Sequence, residues 1–310
     1  MLPEAILAQN ILVVFLLLGV AIKRSASRRE GVVRLLGAWS LMIGLLLVGV
    51  WIAPPPIKLW TYCVLLVFAS VLHVLRSAGR EPFRLLRLSH IPTFASIGLG
   101  GLFLWQGLSG RLQPDIEFVN LAPPMRPAEG ICVISEGNSL ALNAHFIASS
   151  SPLGFQEMHS VDFVKVRSNG FRTRSWQLSS QPKDIAEYLI YNEPVFAPCT
   201  GSVQEMKNNQ ADHPAGGQYR DKLGVNFVRL RCGKVDINLV HLKRGSIEVS
   251  VGQSLTTGDF IGKVGNSGNT EEPHLHIQAQ TIPTPESGDT YPQPVPMTFN
   301  GQYLSRGECL

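Results

Sequence analysis

Hydrophobic positions are unevenly spread along the 310 residues. The first third holds four nearly unbroken apolar runs, at 6–22, 35–52, 59–75 and 91–108. Each approaches the ~17–25 residues that a helix needs to cross a hydrocarbon core. The first three contain almost no charge, whereas Pro92, Thr93, Ser96, Gly98, Gly100, Gly101 and Gln106 dilute the fourth. Beyond residue 130 the texture changes to short β-branched or alternating segments bounded by Gly, Asn or Pro: Ile131–Ile134, Val161–Val166, Pro194–Ala197, Asn226–Arg231, Val235–His241 and Phe260–Val264. The best helical candidate there is short, around Pro182–Tyr191. No strand–helix alternation is present to build parallel crossovers, so the sheet is expected to be antiparallel. The pattern therefore predicts an N-terminal α-helical transmembrane bundle over 1–111 and an extended Pro-containing linker over 112–129. A mostly-β domain over 130–282 and a Pro-rich tail over 283–310 follow.

Charge sharpens this division. Residues 1–111 carry eleven Lys/Arg against three Glu, a net charge of +8, and the remainder carries sixteen against twenty, or −4. A nucleic-acid binder clusters its basic residues on the folded domain; here that domain is mildly acidic, which sets the reading aside. Lys23, Arg24, Arg28, Arg29 and Arg34 follow the first run, and Arg76, Arg80, Arg84 and Arg87 follow the third. The connection Ala53–Lys58 holds one positive charge. By the positive-inside rule the first and third loops are cytoplasmic. With four spans, the chain is a multi-pass protein of the inner or plasma membrane, and its C-terminal domain lies on the outer, periplasmic side. A signal peptide is a poorer reading of the first run, because the basic residues follow it and no small-residue cleavage site stands out.

Six of the eight histidines lie beyond residue 111. In a strand, His274 and His276 project from one face, because side chains alternate with period two. His241 ends a second strand-like segment, and Asp162 interrupts an apolar one, where a carboxylate needs a partner such as a metal. Imidazoles plus one carboxylate, with a position left for water, form a set that zinc uses.

At this point the sequence resembles the lysostaphin/LytM-type peptidoglycan zinc metallopeptidases. The resemblance rests on an ordered series over about 130–280. It runs from Asp162 through Glu193-Pro194-Val195-Phe196-Ala197-Pro198-Cys199-Thr200-Gly201-Ser202-Val203, Val240-His241-Leu242, Val249–Gln253 and Gly258–Gly265 to Pro273-His274-Leu275-His276. It implies an antiparallel β-sheet with a groove and hydrolysis of peptide bonds by a zinc-activated water. Asp162 and His276 would be zinc ligands, and His241 and His274 the imidazoles that assist the water. The implied substrate is peptidoglycan or another outer-side peptide. Met158 departs from the pattern, standing four residues before Asp162 where the family has its first ligand histidine. His145, in an Asn-x-His element similar to one in membrane-associated members, is the favoured third ligand; His159 is the alternative, and absence of any third ligand remains open. A domain that lost catalysis, and binds cell wall or regulates another hydrolase, is the competing reading. On this architecture Cys199 and Cys232 are a candidate disulfide.

Overall fold

The computed structural model describes residues 2–51, 56–77, 90–127, 130–148, 152–175, 182–217, 224–283 and 291–310. The chain divides into two compact units, Met1–Leu112 and Gln113–Leu310.

The first unit contains α1 (Leu2–Ile22), α2 (Arg28–Val48), α3 (Pro56–Arg76) and α4 (Ile91–Ser109). By length and composition α2, α3 and α4 suffice to cross a membrane, while the apolar part of α1, Ile6–Ile22, is shorter. Helix α2 starts a full two turns before its apolar run, so Arg28, Arg29 and Arg34 are helical rather than in a loop. A reciprocal cap explains this: the Ser27 hydroxyl accepts from Glu30 N at 3.2 Å, and the Glu30 carboxylate accepts from Ala26 N at 3.0 Å. Helices α2 and α4 pack backbone to backbone through small residues, since a side chain at Gly44 would strike Gly100 and one at Gly100 would strike Ser40. The basic residues Arg80, Arg84 and Arg87 lie outside the described residues.

The second unit is built on an eight-stranded sheet. Its strands are β2 (Ile131–Ser135), β3 (Val161–Lys165), β5 (Gly201–Lys207), β6 (Phe227–Cys232), β7 (Val235–Val240), β8 (Ser254–Leu255), β10 (Leu275–Thr281) and β11 (Pro294–Val295). The order is β2-β3-β10-β7-β6-β5-β8, with β11 beside β10, and the pairs are antiparallel, as expected. A separate antiparallel ribbon joins β4 (Pro194–Phe196) to β9 (Phe260–Lys263). Fully buried Phe163, Leu230, Ile237, Leu239 and Ile261 dominate the core. The helical candidate at Pro182–Tyr191 is reduced to one 3-10 turn, Ile185–Glu187.

Two segments do more than their composition suggests. The stretch read as a linker contributes β1 (Val119–Leu121), and the Pro-rich tail returns to supply β12 (Met297–Phe299) as its parallel partner. The end of the tail then runs along β2, where Leu310 N donates to Ile131 O and Gly307 N to Val133 O, both at 2.9 Å. Cys309 is bonded there to Cys132. A second disulfide joins Cys199 to Cys232, with Cα atoms 6.0 Å apart. Part of the tail, 284–290, and part of the polar loop Lys207–Lys222 lie outside the described residues.

Candidate metal centre

Three neighbouring strands assemble the site through their register. On β10, His276 stands opposite Asp162 of β3 on one side and Val240 of β7 on the other. His241 follows directly, turning out of β7 with φ +64°, a left-handed value uncommon for a residue with a side chain. His274 immediately precedes β10.

His145 reaches the same place from a separate element. It opens a four-residue helix, α5 (His145–Ala148), and its main-chain N donates to Asn143 Oδ1 at 2.9 Å. The Asn143 side chain in turn donates to Glu136 Oε2 at 3.2 Å and to the Met158 carbonyl at 2.9 Å. Ser135, at a bulge in the β2–β3 pairing, accepts from Ala144 N. Met158 thus supports the turn that delivers His145, through its carbonyl oxygen.

Asp162 lies between two imidazoles: His145 Nε2 is 3.1 Å from Oδ2 and His276 Nδ1 is 2.8 Å from Oδ1. His274 Nε2 stands 3.6 Å from Oδ1. His145, Asp162 and His276 each offer one ligand atom, and these atoms lie within 4.8 Å of one another; the same holds for His241, His274 and His276. His159 belongs to neither group among the described residues and instead sets its ring edge-on against Phe146.

The surroundings fix which nitrogen faces the site. His276 Nε2 is 3.0 Å from Gln278 Oε1, an acceptor, so Nε2 carries the proton and Nδ1 is turned to Asp162. His241 Nδ1 donates to the Ser267 carbonyl and His274 Nδ1 to the Glu272 carbonyl, both at 2.8 Å. Each therefore leaves Nε2 as its free nitrogen. Gln278 is readable as the residue two beyond His276 on the same strand face; the carbonyl acceptors have no sequence signal.

Electrostatics follow from burial and these partners. Burial alone raises the Asp162 carboxyl, but the charges of His145 and His274 and bonds from His145 and His276 outweigh it and hold it well below the carboxylate range. His276 is lowered by burial yet raised more by its hydrogen bond to Asp162 and by that charge, reaching about 9. Burial, with His274 and His276 nearby, pushes His241 well down. Two imidazole nitrogens and a carboxylate oxygen are the donor chemistry of an open zinc site, so the residues fit such an ion.

Residues 184–288 match Peptidase family M23. The matched stretch contains His241, His274 and His276 and begins after His145 and Asp162. Among solved structures, the lysostaphin catalytic domain from Staphylococcus simulans is 21% identical, with 42% of this chain and 71% of that one covered and a TM-score of 0.25. Lysostaphin from the same organism is 21% identical over 44% of this chain at a TM-score of 0.26, and this chain covers only 41% of it. LytU is 18% identical, with 59% of this chain and 86% of that one covered and a TM-score of 0.28. The resemblance carried by the motif series is thus matched by a Peptidase family M23 domain.

Proposed function

We propose that this chain is a membrane-anchored zinc metallopeptidase that hydrolyses peptide bonds in peptidoglycan on the outer face of the membrane. The observation that carries the reading is the convergence of His145, Asp162 and His276 beside His241 and His274. Three ligands with two flanking imidazoles are a hydrolytic arrangement rather than a purely structural site, whose four protein ligands would close the ion off. In this reading His145, Asp162 and His276 hold zinc, a domain over 130–282 carries the site, and the helices of 1–111 anchor it. The outer location is supported by the two disulfides, which persist in oxidising compartments.

A bound zinc ion supplies a Lewis acid that acidifies water and polarises a scissile carbonyl. The protein groups do the rest. With Nδ1 committed to a main-chain carbonyl, His241 and His274 each present Nε2 as an acceptor while neutral. Such an imidazole takes the proton of the attacking water at Nε2. It then donates that N–H to the tetrahedral oxygen or to the departing amine. The low pKa of His241 keeps it neutral and ready to accept near pH 7. Asp162, ionised, balances the charge of the site.

The test is metal analysis and hydrolysis of purified cross-linked peptidoglycan by the full chain in detergent. Wild type is expected to hold one zinc and release peptides. His276→Ala and His145→Ala are expected to lose both, and His159→Ala neither. Zinc retained in His276→Ala overturns the ligand assignment. Zinc binding without hydrolysis in wild type favours the catalytically inactive, wall-binding alternative.

A further inference from the structure

The loop that delivers His274 is held from the far side by a buried ion pair. Glu272 lies two residues before His274, and its two ends have different tasks. Its main-chain oxygen accepts from His274 Nδ1 and from the Thr270 hydroxyl, each at 2.8 Å. Its carboxylate takes the fork of Arg172, with Nε to Oε1 at 3.0 Å and a terminal nitrogen to Oε2 at 2.6 Å. Both side chains are nearly inaccessible, at 4% and 5% exposure. Arg172 is itself fixed, since its guanidinium lies over the Tyr188 ring, 5.5 Å from the centroid, and its carbonyl accepts from Leu189 N at 2.9 Å.

Taking two charges out of water is a poor way to gain stability, and apolar side chains of similar size fill such a space as well or better. What a bidentate fork adds is direction, because two parallel N–H···O bonds fix both the position and the rotation of the carboxylate. Here that fixes Glu272, and with it the carbonyl that keeps the His274 proton on Nδ1. Displace that acceptor and only the Thr270 hydroxyl, at 3.2 Å, remains to hold the proton on Nδ1; a ring whose proton has moved to Nε2 no longer takes one from water. The single proton of the Thr270 hydroxyl is shared between the Glu272 carbonyl and Asn266 Oδ1 at 3.1 Å, and the hydroxyl oxygen stands 3.2 Å from His274 Nδ1 as a second acceptor.

We infer that the Arg172–Glu272 pair is a positioning device for His274, setting its tautomer and ring orientation from outside the site. This rests on reading His274 as a proton-handling imidazole, so the experiment includes a readout that does not need hydrolysis. In the full chain with zinc, Glu272→Gln, Arg172→Lys and the double variant Arg172→Met/Glu272→Leu would be compared. The double variant leaves no buried charge unpaired and so keeps the comparison open if a single variant fails to fold. Each receives a zinc assay, kcat and KM on cross-linked peptidoglycan fragments, and 15N NMR of the histidine rings. The double variant is expected to keep its zinc and its KM, to lose kcat by about tenfold, a part of the ~10²–10⁴-fold that a positioned general acid or base contributes, and to show His274 as a mixture of tautomers. Arg172→Lys, which keeps the charge without the fork, is expected to recover kcat in part. A double variant with wild-type kcat and His274 still protonated only at Nδ1 overturns the inference, as does a loss of kcat that merely tracks loss of zinc. Absence of hydrolysis in wild type would overturn the peptidase reading instead, and the ring spectra would still decide whether the pair sets the tautomer.

Discussion

Adding zinc to the metal-free protein is expected to expel a proton from His276. Its ring is buried, which by itself lowers the pKa, but the hydrogen bond to Asp162 and the charge of that carboxylate raise it to about 9. At neutral pH the ring is then an imidazolium, with protons on both nitrogens, one on Asp162 and one on Gln278. A metal takes the Nδ1 lone pair only after that proton leaves, so zinc and proton compete for one site. Below about pH 9 the apparent affinity should therefore rise ~10-fold per pH unit, which is ~1.4 kcal/mol each. Between pH 7 and pH 8.5 that amounts to ~30-fold, or ~2 kcal/mol. Calorimetric titration with zinc, in the presence of a competing chelator and in buffers of different ionisation enthalpy, counts the protons released and measures the affinity together. An affinity that stays flat over this interval, with no proton released, would refute the reasoning. It would mean either that His276 is not a ligand or that Asp162 does not hold its proton.

Other outcomes follow from the same geometry. Without metal, the raised pKa of His276 contributes stability that is fully present below ~6.5 and is lost as pH climbs toward about 9. The lowered pKa of His241 contributes stability that is present above ~6.5 and is lost as pH falls. Urea midpoints of the metal-free protein should peak near pH ~6.5, and a steady rise from there to pH 9 would contradict the assignment. Gln278→Leu, which removes the acceptor behind His276, should weaken zinc binding by ~10–100-fold, measured by chelator competition; unchanged affinity would indicate coordination through Nε2. Cys309→Ser opens a loop spanning 177 residues. The chain-entropy relation puts the loss at up to ~5 kcal/mol, and removal of native disulfides generally costs ~2–5 kcal/mol. A urea midpoint equal to that of wild type would show that the bond does not constrain the unfolded chain.

The parts of the molecule legible in the sequence are those whose signal is local. β-Branched or alternating apolar residues mark β2, β3, β4, β6, β7 and β9, and the His-x-His spacing of His274 and His276 implies β10. The strand Gly201–Lys207 carries no such pattern, because Ser202, Gln204 and Glu205 interrupt its apolar positions. Strands β1 and β12 were hidden for a different reason: each is three residues long and gains its partner only from the far end of the domain. Helix α2 starts before its apolar run because the Ser27–Glu30 cap, a signal carried by two polar side chains, fixes its first turn. At the site, the His-x-His spacing, the carboxylate in an apolar strand and the Asn-x-His element each had a visible pattern. Arg172 had none, since its partner is 100 residues away. The main-chain oxygens of Ser267 and Glu272 were equally silent, because every residue has one.

The tail that runs along β2 also sets an order of events. Ser135 and Glu136 steady the turn bearing His145, and the strand that leads into them is bordered by residues 307–310 and tied by Cys132–Cys309. A chain made from its N-terminus delivers the apolar helices first, then His145 and Asp162, then His276, and after all of these the segment that borders β2. Until residue 309 has emerged, β2 is an open sheet edge and its cysteine has no partner. The support beneath the turn bearing His145 is thus complete only after Cys309 has joined Cys132. For the metallopeptidase proposed above, such a delay separates being made from being able to cut.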